Sequence, residues 1–234
     1  MMDHPEAETA LARTGMLRAA LHLYLVMGSP NCGGRCPAAV LDEAIRGGIT
    51  MFQYREKGPH AREGIARTEL GRELRECCRR AGIPFIVNDD IRLALELEAD
   101  GLHVGQEDQA QQSAAELRRL TRGRILGISA HNVAEAREAV RQGADYIGVG
   151  PMYATATKPD ARRVQGPGVI AEMRSAGISL PLVGIGGITP AGARAVLEAG
   201  ADGVAVISAI SQAPDAVRAA ELFQQVYKNR EFAG

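Results

Sequence analysis

The sequence predicts a closed (β/α)8 barrel of the TIM-barrel class, in one domain with an N-terminal extension. Three observations lead there. Eight short apolar runs each precede a helical segment, and regular alternation of this kind builds a parallel sheet with helices packed outside it. The 234 residues match the roughly 200–250 that α/β barrels use as a single domain, which favours the closed barrel over an open doubly wound sheet. A weak internal repeat adds to this: Ala99-Asp100-Gly101, Ala144-Asp145-Tyr146 and Ala201-Asp202-Gly203 each sit where a helix turns into a strand. As turn chemistry on the side away from the site, these triplets belong to the stability face.

Residues 1–20 read as an extension, helical in part, and residues 21–230 as the barrel. Leu21 to Val26 is the first strand, and the Gly- and Pro-containing stretch Met27 to Arg35 is the loop after it. A helix from Ala38 to Arg46 stops at Gly47-Gly48, where a left-handed glycine can end it. Thr50 to Tyr54 is strand two and runs into Arg55-Glu56-Lys57-Gly58; a helix from Arg62 to Arg80 follows. Phe85 to Val87 and Leu102 to Val104 are strands three and four, joined through a helix carrying Leu93, Ala94 and Leu97, a crossover that makes them parallel neighbours. A polar helix from Ser113 to Leu120 leads to strand five, Ile125 to Ile128, with Ser129 at its tip. A helix from Val133 to Gln142, a strand from Tyr146 to Val149 and a long loop from Pro151 to Gly168 come next. The chain closes with a helix from Val169 to Ser175, a strand from Leu182 to Ile185, a helix from Pro190 to Leu197, a strand from Val204 to Ile207, and a last helix from Ala216 to Tyr227. That helix sets Ala219, Ala220, Phe223, Val226 and Tyr227 on one face.

Hydrophobic residues at 46% and charged residues at 24% are ordinary for a soluble globular protein, and a net charge of −1 offers no attraction to nucleic acid or to an anionic membrane. No apolar run approaches the roughly 20 residues of a membrane span. The acidic and basic mixture in Met1 to Ala20 is unlike a signal peptide, so the expectation is a cytoplasmic protein; whether it forms a homo-oligomer is left open. A zinc site from Cys32 and Cys36 would need two further ligands, and no Cys or His pair at finger spacing supplies them. Cys77 and Cys78 are adjacent on a helix, so at least one faces the core.

In a barrel of this kind the chemistry lies at the C-terminal ends of the strands, and almost every polar motif falls there. Asp89-Asp90 and Glu107-Asp108 close adjacent strands with carboxylates, as a Mg²⁺ site shared with a phosphorylated ligand requires. Gln53-Tyr54-Arg55-Glu56-Lys57 adds a planar donor fork and a mobile ammonium, suited to a diphosphate. Gly184-Ile185-Gly186-Gly187 and Ile207-Ser208 occupy the ends of strands seven and eight, where such barrels often hold a phosphate. Thr155-Ala156-Thr157-Lys158 lies close to them in the chain's long late loop. His103 and His131 have no evident nucleophile to serve and receive no role.

These motifs, in this order and from about Tyr24 to Gln212, resemble the thiamine-phosphate synthase family; Gly127-Ile128-Ser129-Ala130-His131 and Asn88-Asp89-Asp90 are part of the match. The resemblance implies that a hydroxymethylpyrimidine diphosphate loses pyrophosphate and that the nitrogen of a thiazole phosphate takes up the pyrimidine methylene, through a pyrimidine carbocation. It implies that Gln53, Tyr54, Arg55, Glu56, Lys57, Asn88 and Lys158 hold the diphosphate substrate, that Ser129 contacts its pyrimidine, that Asp89 and Asp108 bind Mg²⁺, and that Thr155, Ala156, Thr157, Gly187, Ile207 and Ser208 hold the thiazole phosphate. Arg55, Lys57, Lys158 and Ser129 then carry catalysis by positioning and charge, with no dedicated base. The rival readings are a thiazole tautomerase on the same barrel, which needs no diphosphate cluster, and a binder of thiazole phosphate or thiamine phosphate without turnover.

Overall fold

A computed structural model describes residues 14–105, 114–155 and 164–231. Eight strands close into one barrel in chain order: β1 Leu23–Met27, β2 Met51–Tyr54, β3 Phe85–Asn88, β4 Gly101–Val104, β5 Ile125–Ala130, β6 Tyr146–Val149, β7 Leu182–Ile185 and β8 Gly203–Val206. Every neighbouring pair is parallel, and β8 returns to β1. The outer helices are α2 Pro37–Arg46, α3 Gly64–Ala81, α4 Ile91–Glu96, α5 Ala114–Leu120, α6 Val133–Arg141, α7 Gly168–Ser175, α8 Pro190–Glu198 and α10 Ala216–Glu231, with a single turn, α9 Ser208–Ser211, after β8. The expected elements stand within a few residues of their sequence bounds. β5 is the main difference: it continues through Ala130, so Ser129 lies inside the strand rather than beyond its tip.

Successive side chains of a strand point to opposite faces, and here that alternation separates two cores. Leu23, Leu25, Phe52, Val87, Leu102, Ile128, Val149 and Val204 face outward against the helices. Tyr24, Val26, Met51, Ile86, Tyr146, Val183 and Ala205 face inward and fill the barrel. The α10 face is as expected, with Ala220 and Phe223 buried and Ala219, Val226 and Tyr227 packed at its margin.

The extension is less separate than the sequence suggests. Residues 14–20 form a helix, α1. Its Leu17, together with Leu21, joins the inward core, so α1 seals the end of the barrel where the strands begin. Arg18 of α1 pairs with Asp202 and donates to the Ser179 carbonyl at 2.7 Å.

The three Ala-Asp triplets do the same structural job. The carboxylates of Asp100, Asp145 and Asp202 accept from the backbone N–H of Phe85, Leu126 and Leu182, each at 2.8 Å. Their own N–H groups donate to the carbonyls of those same residues. Each aspartate thus fixes the start of one strand beside the next, on the face away from the site. Among the described residues no helix is long and apolar enough to cross a membrane. Cys32, Cys77 and Cys78 are buried and Cys36 is exposed, all four as free thiols.

Candidate active site

All eight strands contribute to one cavity of about 470 Å³ at their C-terminal ends. Gln53, Arg55 and Lys57 line it from β2 and the turn beyond, Asn88 and Asp89 from β3, Gly105 after β4 and Ser129 from β5. Thr155 closes the side after β6, Gly187 the side after β7, and Ile207 with Ser208 the side after β8. These expected residues, scattered over more than 150 positions of the chain, therefore share one space.

Two residues of the expected set do not. Tyr54 and Glu56 have the opposite strand parity to Gln53, Arg55 and Lys57, and both turn away from the cavity. The Tyr54 hydroxyl donates to the Arg67 carbonyl at 2.9 Å, in the layer between the barrel and α3. Glu56 is only 6% exposed; its carboxylate accepts from the Ser29 N–H at 2.8 Å, the Ser29 hydroxyl, and the Arg62 N–H at 2.7 Å. It is a clamp joining the loop after β1 to both ends of the loop that carries Arg55 and Lys57. The alternation visible in Met51-Phe52-Gln53-Tyr54 is the signal that separates the two sets.

Asp89 is the most constrained charge in the cavity. Its carboxylate accepts from the Lys57 ammonium, the Asn88 amide and the Gly105 N–H, the last at 3.1 Å. Burial opposes its ionisation, but the Lys57 hydrogen bond and charge, with the Gly105 N–H, outweigh that and hold it below the usual carboxylate range. Its backbone is left-handed, at φ 60°, a conformation aspartate tolerates better than most residues. The next residue faces the other way: Asp90 caps α4 through the Leu93 N–H at 3.0 Å and pairs with Arg67 at 2.8 Å. An ionised carboxylate at the rim, beside cations and an amide, is a donor suited to a hard cation such as Mg²⁺. Among the described residues no group of three or more His, Cys, Asp or Glu forms a metal cluster. Asp108, Ala156, Thr157 and Lys158 lie outside the described residues.

On the opposite side, Gly187 shows why a glycine is needed. Its φ is 64°, and an added Cβ would come 2.4 Å from the Ala154 carbonyl oxygen. Only a residue without a side chain lets the turn after β7 press against the loop after β6, which brings Thr155 to the same wall.

Sequence reasoning set aside two histidines that the fold brings to this cavity. His131 lines the rim and bonds Glu135 through Nδ1 at 2.8 Å. His103 reaches the Ser129 hydroxyl from Nε2 at 3.0 Å and the Tyr146 hydroxyl from Nδ1 at 2.9 Å. Tyr24, also absent from the expected set, lines the floor.

The chain is similar to proteins of one family. Residues 23–210 match the family model described as thiamine monophosphate synthase. A thiamine-phosphate synthase of Geobacillus kaustophilus is 53% identical over 207 residues, covering 88% of this chain and 92% of the relative. A thiamine-phosphate synthase of Bacillus velezensis is 51% identical over 210 residues, covering 90% and 92% respectively. Among solved structures, a thiamine phosphate pyrophosphorylase from Pyrococcus furiosus superposes with a TM-score of 0.80 at 33% identity, over 91% of this chain and 98% of that one.

Proposed function

The chain belongs to the thiamine monophosphate synthase family, and we propose that the cavity at the strand ends is where it makes thiamine phosphate. It is a transferase of thiamine biosynthesis, joining a pyrimidine diphosphate to a thiazole phosphate with release of pyrophosphate. In the proposed arrangement Gln53, Arg55, Lys57, Asn88 and Lys158 hold the diphosphate substrate, and Ser129 meets its pyrimidine. Thr155, Ala156, Thr157, Gly187, Ile207 and Ser208 hold the thiazole phosphate. Asp89 and Asp108 hold Mg²⁺, which would neutralise charge on the departing diphosphate.

The bond between the pyrimidine methylene and the diphosphate oxygen breaks, and its electron pair leaves with pyrophosphate. The thiazole nitrogen then supplies the pair for the new carbon–nitrogen bond. Neither event requires the protein to remove a proton. What the chain must provide is prearranged positive charge where negative charge grows, and alignment of the two rings. Arg55 and Lys57 meet the first need, and the partition of the cavity walls meets the second. Phosphorylated substrates cross membranes poorly unaided, which supports a cytoplasmic site of action.

One observation carries this reading: cations and a carboxylate from β2 and β3 face, across a single cavity, the hydroxyl- and glycine-bearing loops after β6, β7 and β8. A thiazole tautomerase would have no use for the first group. The test is release of pyrophosphate from purified protein given both substrates, with Mg²⁺ and with a chelator. Release matched by thiamine phosphate, and lost with the chelator, is the expected result. No product while thiazole phosphate still binds would favour the tautomerase or the non-catalytic binder.

A further inference from the structure

Beneath Ser129 the barrel interior holds a polar chain in place of the apolar layer such interiors usually carry. His103 of β4, Gly127 of β5 and Tyr146 of β6 are partners in register, so one glycine separates two large side chains on the inner wall. A Cβ on Gly127 would lie 2.2 Å from the Tyr146 ring and 2.5 Å from His103 Nδ1. Gly148, in register with Ser129, likewise stands under the His103 ring, with a Cβ position 3.0 Å from its Cε1. The two glycines make room for the histidine and the tyrosine to meet.

One bond of this chain has a fixed donor, and the others can follow from it. Gln53 Nε2 donates to the Tyr24 hydroxyl at 2.8 Å. The Tyr24 hydroxyl lies 2.9 Å from that of Tyr146, and both tyrosines are buried. With Gln53 Nε2 as the donor, the Tyr24 oxygen accepts, which leaves the Tyr24 hydrogen for the Tyr146 oxygen. In that order the Tyr146 hydrogen falls to His103 Nδ1, 2.9 Å away. Burial first of all, with the neighbouring phenol's charge, holds Tyr146 well above its ordinary pKa, so it stays a neutral donor. An imidazole that accepts at Nδ1 carries its proton on Nε2, and that nitrogen faces Ser129.

We propose that Tyr24, Tyr146 and His103 form a one-way hydrogen-bond relay from Gln53 to Ser129, fixing His103 as the Nε2–H tautomer so that it positions the Ser129 hydroxyl for the pyrimidine. The inference rests on the reading that Ser129 meets the pyrimidine of the diphosphate substrate. His103 is then a positioning residue. It donates to Ser129, so the Ser129 hydrogen is directed elsewhere than back to the imidazole. Both ends of the relay, Gln53 and Ser129, border the cavity, which ties their orientations together.

The test begins with the side-chain ¹⁵N spectrum of the imidazoles in the full-length protein without substrates; loss of one signal in His103→Gln assigns His103. Protonation at Nε2 with a bare Nδ1 is expected. A hydrogen on Nδ1 would overturn the relay. Tyr146→Phe removes one oxygen and keeps the ring. It should fold with an unchanged circular dichroism spectrum and turn the His103 signal into a mixture of tautomers. It should also lower kcat/KM for the pyrimidine diphosphate by about 5- to 10-fold, the scale of one lost hydrogen bond, with KM for the thiazole phosphate unchanged. His103→Gln, which keeps an N–H near the Nε2 position, should retain more activity than His103→Leu. Equal losses in both, or a Tyr146→Phe protein with a native tautomer and native kinetics, would refute the positioning role. If the wild type makes no thiamine phosphate, the functional reading fails, while the tautomer measurement still decides the relay.

Discussion

Replacing Glu56 separates two readings of a residue that sits between two cavity cations in sequence. In the structure its carboxylate binds three donors, two of them the backbone N–H groups of Ser29 and Arg62, and it is nearly inaccessible to solvent. Glu56→Ala leaves those two N–H groups without their acceptor. At about 1–3 kcal/mol for each stranded buried donor, and allowing for partial access of water, the loss is about 3 kcal/mol. For a chain of this size, each kcal/mol lowers Tm by about 2–4 °C, so thermal unfolding should move down by about 10 °C. Glu56→Gln keeps one oxygen but turns an amide N–H toward a backbone N–H, and should cost about half as much. Because the clamp fixes the loop bearing Arg55 and Lys57, the alanine variant should raise KM for the pyrimidine diphosphate and leave KM for the thiazole phosphate unchanged. Calorimetry and two-substrate kinetics check both parts. An unchanged Tm with lost turnover would refute the clamp and return Glu56 to the substrate-binding set.

Asp89→Asn should fold, since asparagine tolerates a left-handed backbone, yet lose at least about 100-fold in turnover if the proposed Mg²⁺ site depends on its charge; steady-state rates across a Mg²⁺ titration check this. Asp202→Asn removes the charge that pairs with Arg174 and Arg18 and accepts from the Leu182 N–H; stability should fall by about 3 kcal/mol in denaturant titrations with kinetics unchanged. Cys36 should be the one thiol of four that a disulfide reagent reaches in the native protein, all four reacting after denaturation. Burial pushes Cys32 and Cys77 up to about 11, above the roughly 8.5 of a free thiol. Native-state stability held through these protonated thiols is therefore complete below about pH 8.5 and is lost as pH rises toward 11. Urea midpoints measured across that window should fall, and those of the Cys32→Ala, Cys77→Ala variant should fall less.

Much of the fold was legible because each strand is a short apolar run bounded by turn residues, and β6 and β7 have the bounds their sequences suggest. β5 extends past its apolar run because Ser129, which resembles a loop residue, has its hydroxyl satisfied inside the strand by His103 of the neighbouring strand β4. Most of the cavity could be placed because polar residues at strand ends are uncommon without a use. Glu56 and Tyr54 turn away from the cavity for a different reason. A contiguous motif reads as one functional unit, yet a strand sends its neighbours to opposite faces. His103 shows no partner in the sequence because Tyr146 and Ser129 are 43 and 26 residues away, and periodicity within one strand carries no information about which strands will adjoin it.

The interior of the barrel is graded along its axis, and the grading bears on catalysis. At one end Leu17 and Leu21 seal an apolar layer with Met51 and Ile86. Above it Tyr24 and Tyr146 are fully buried, and their hydroxyls are satisfied by each other, Gln53 and His103. Leaving either hydroxyl unbonded there would cost about 1–3 kcal/mol, so the polar layer is stable only as a closed network. Higher still, Lys57, Asp89 and Arg55 border open cavity. A substrate entering from the rim meets charge first and the hydrogen-bonded tyrosine floor last. That order suits a reaction whose leaving group needs cations and whose carbon centre must be kept from water until the second ring arrives.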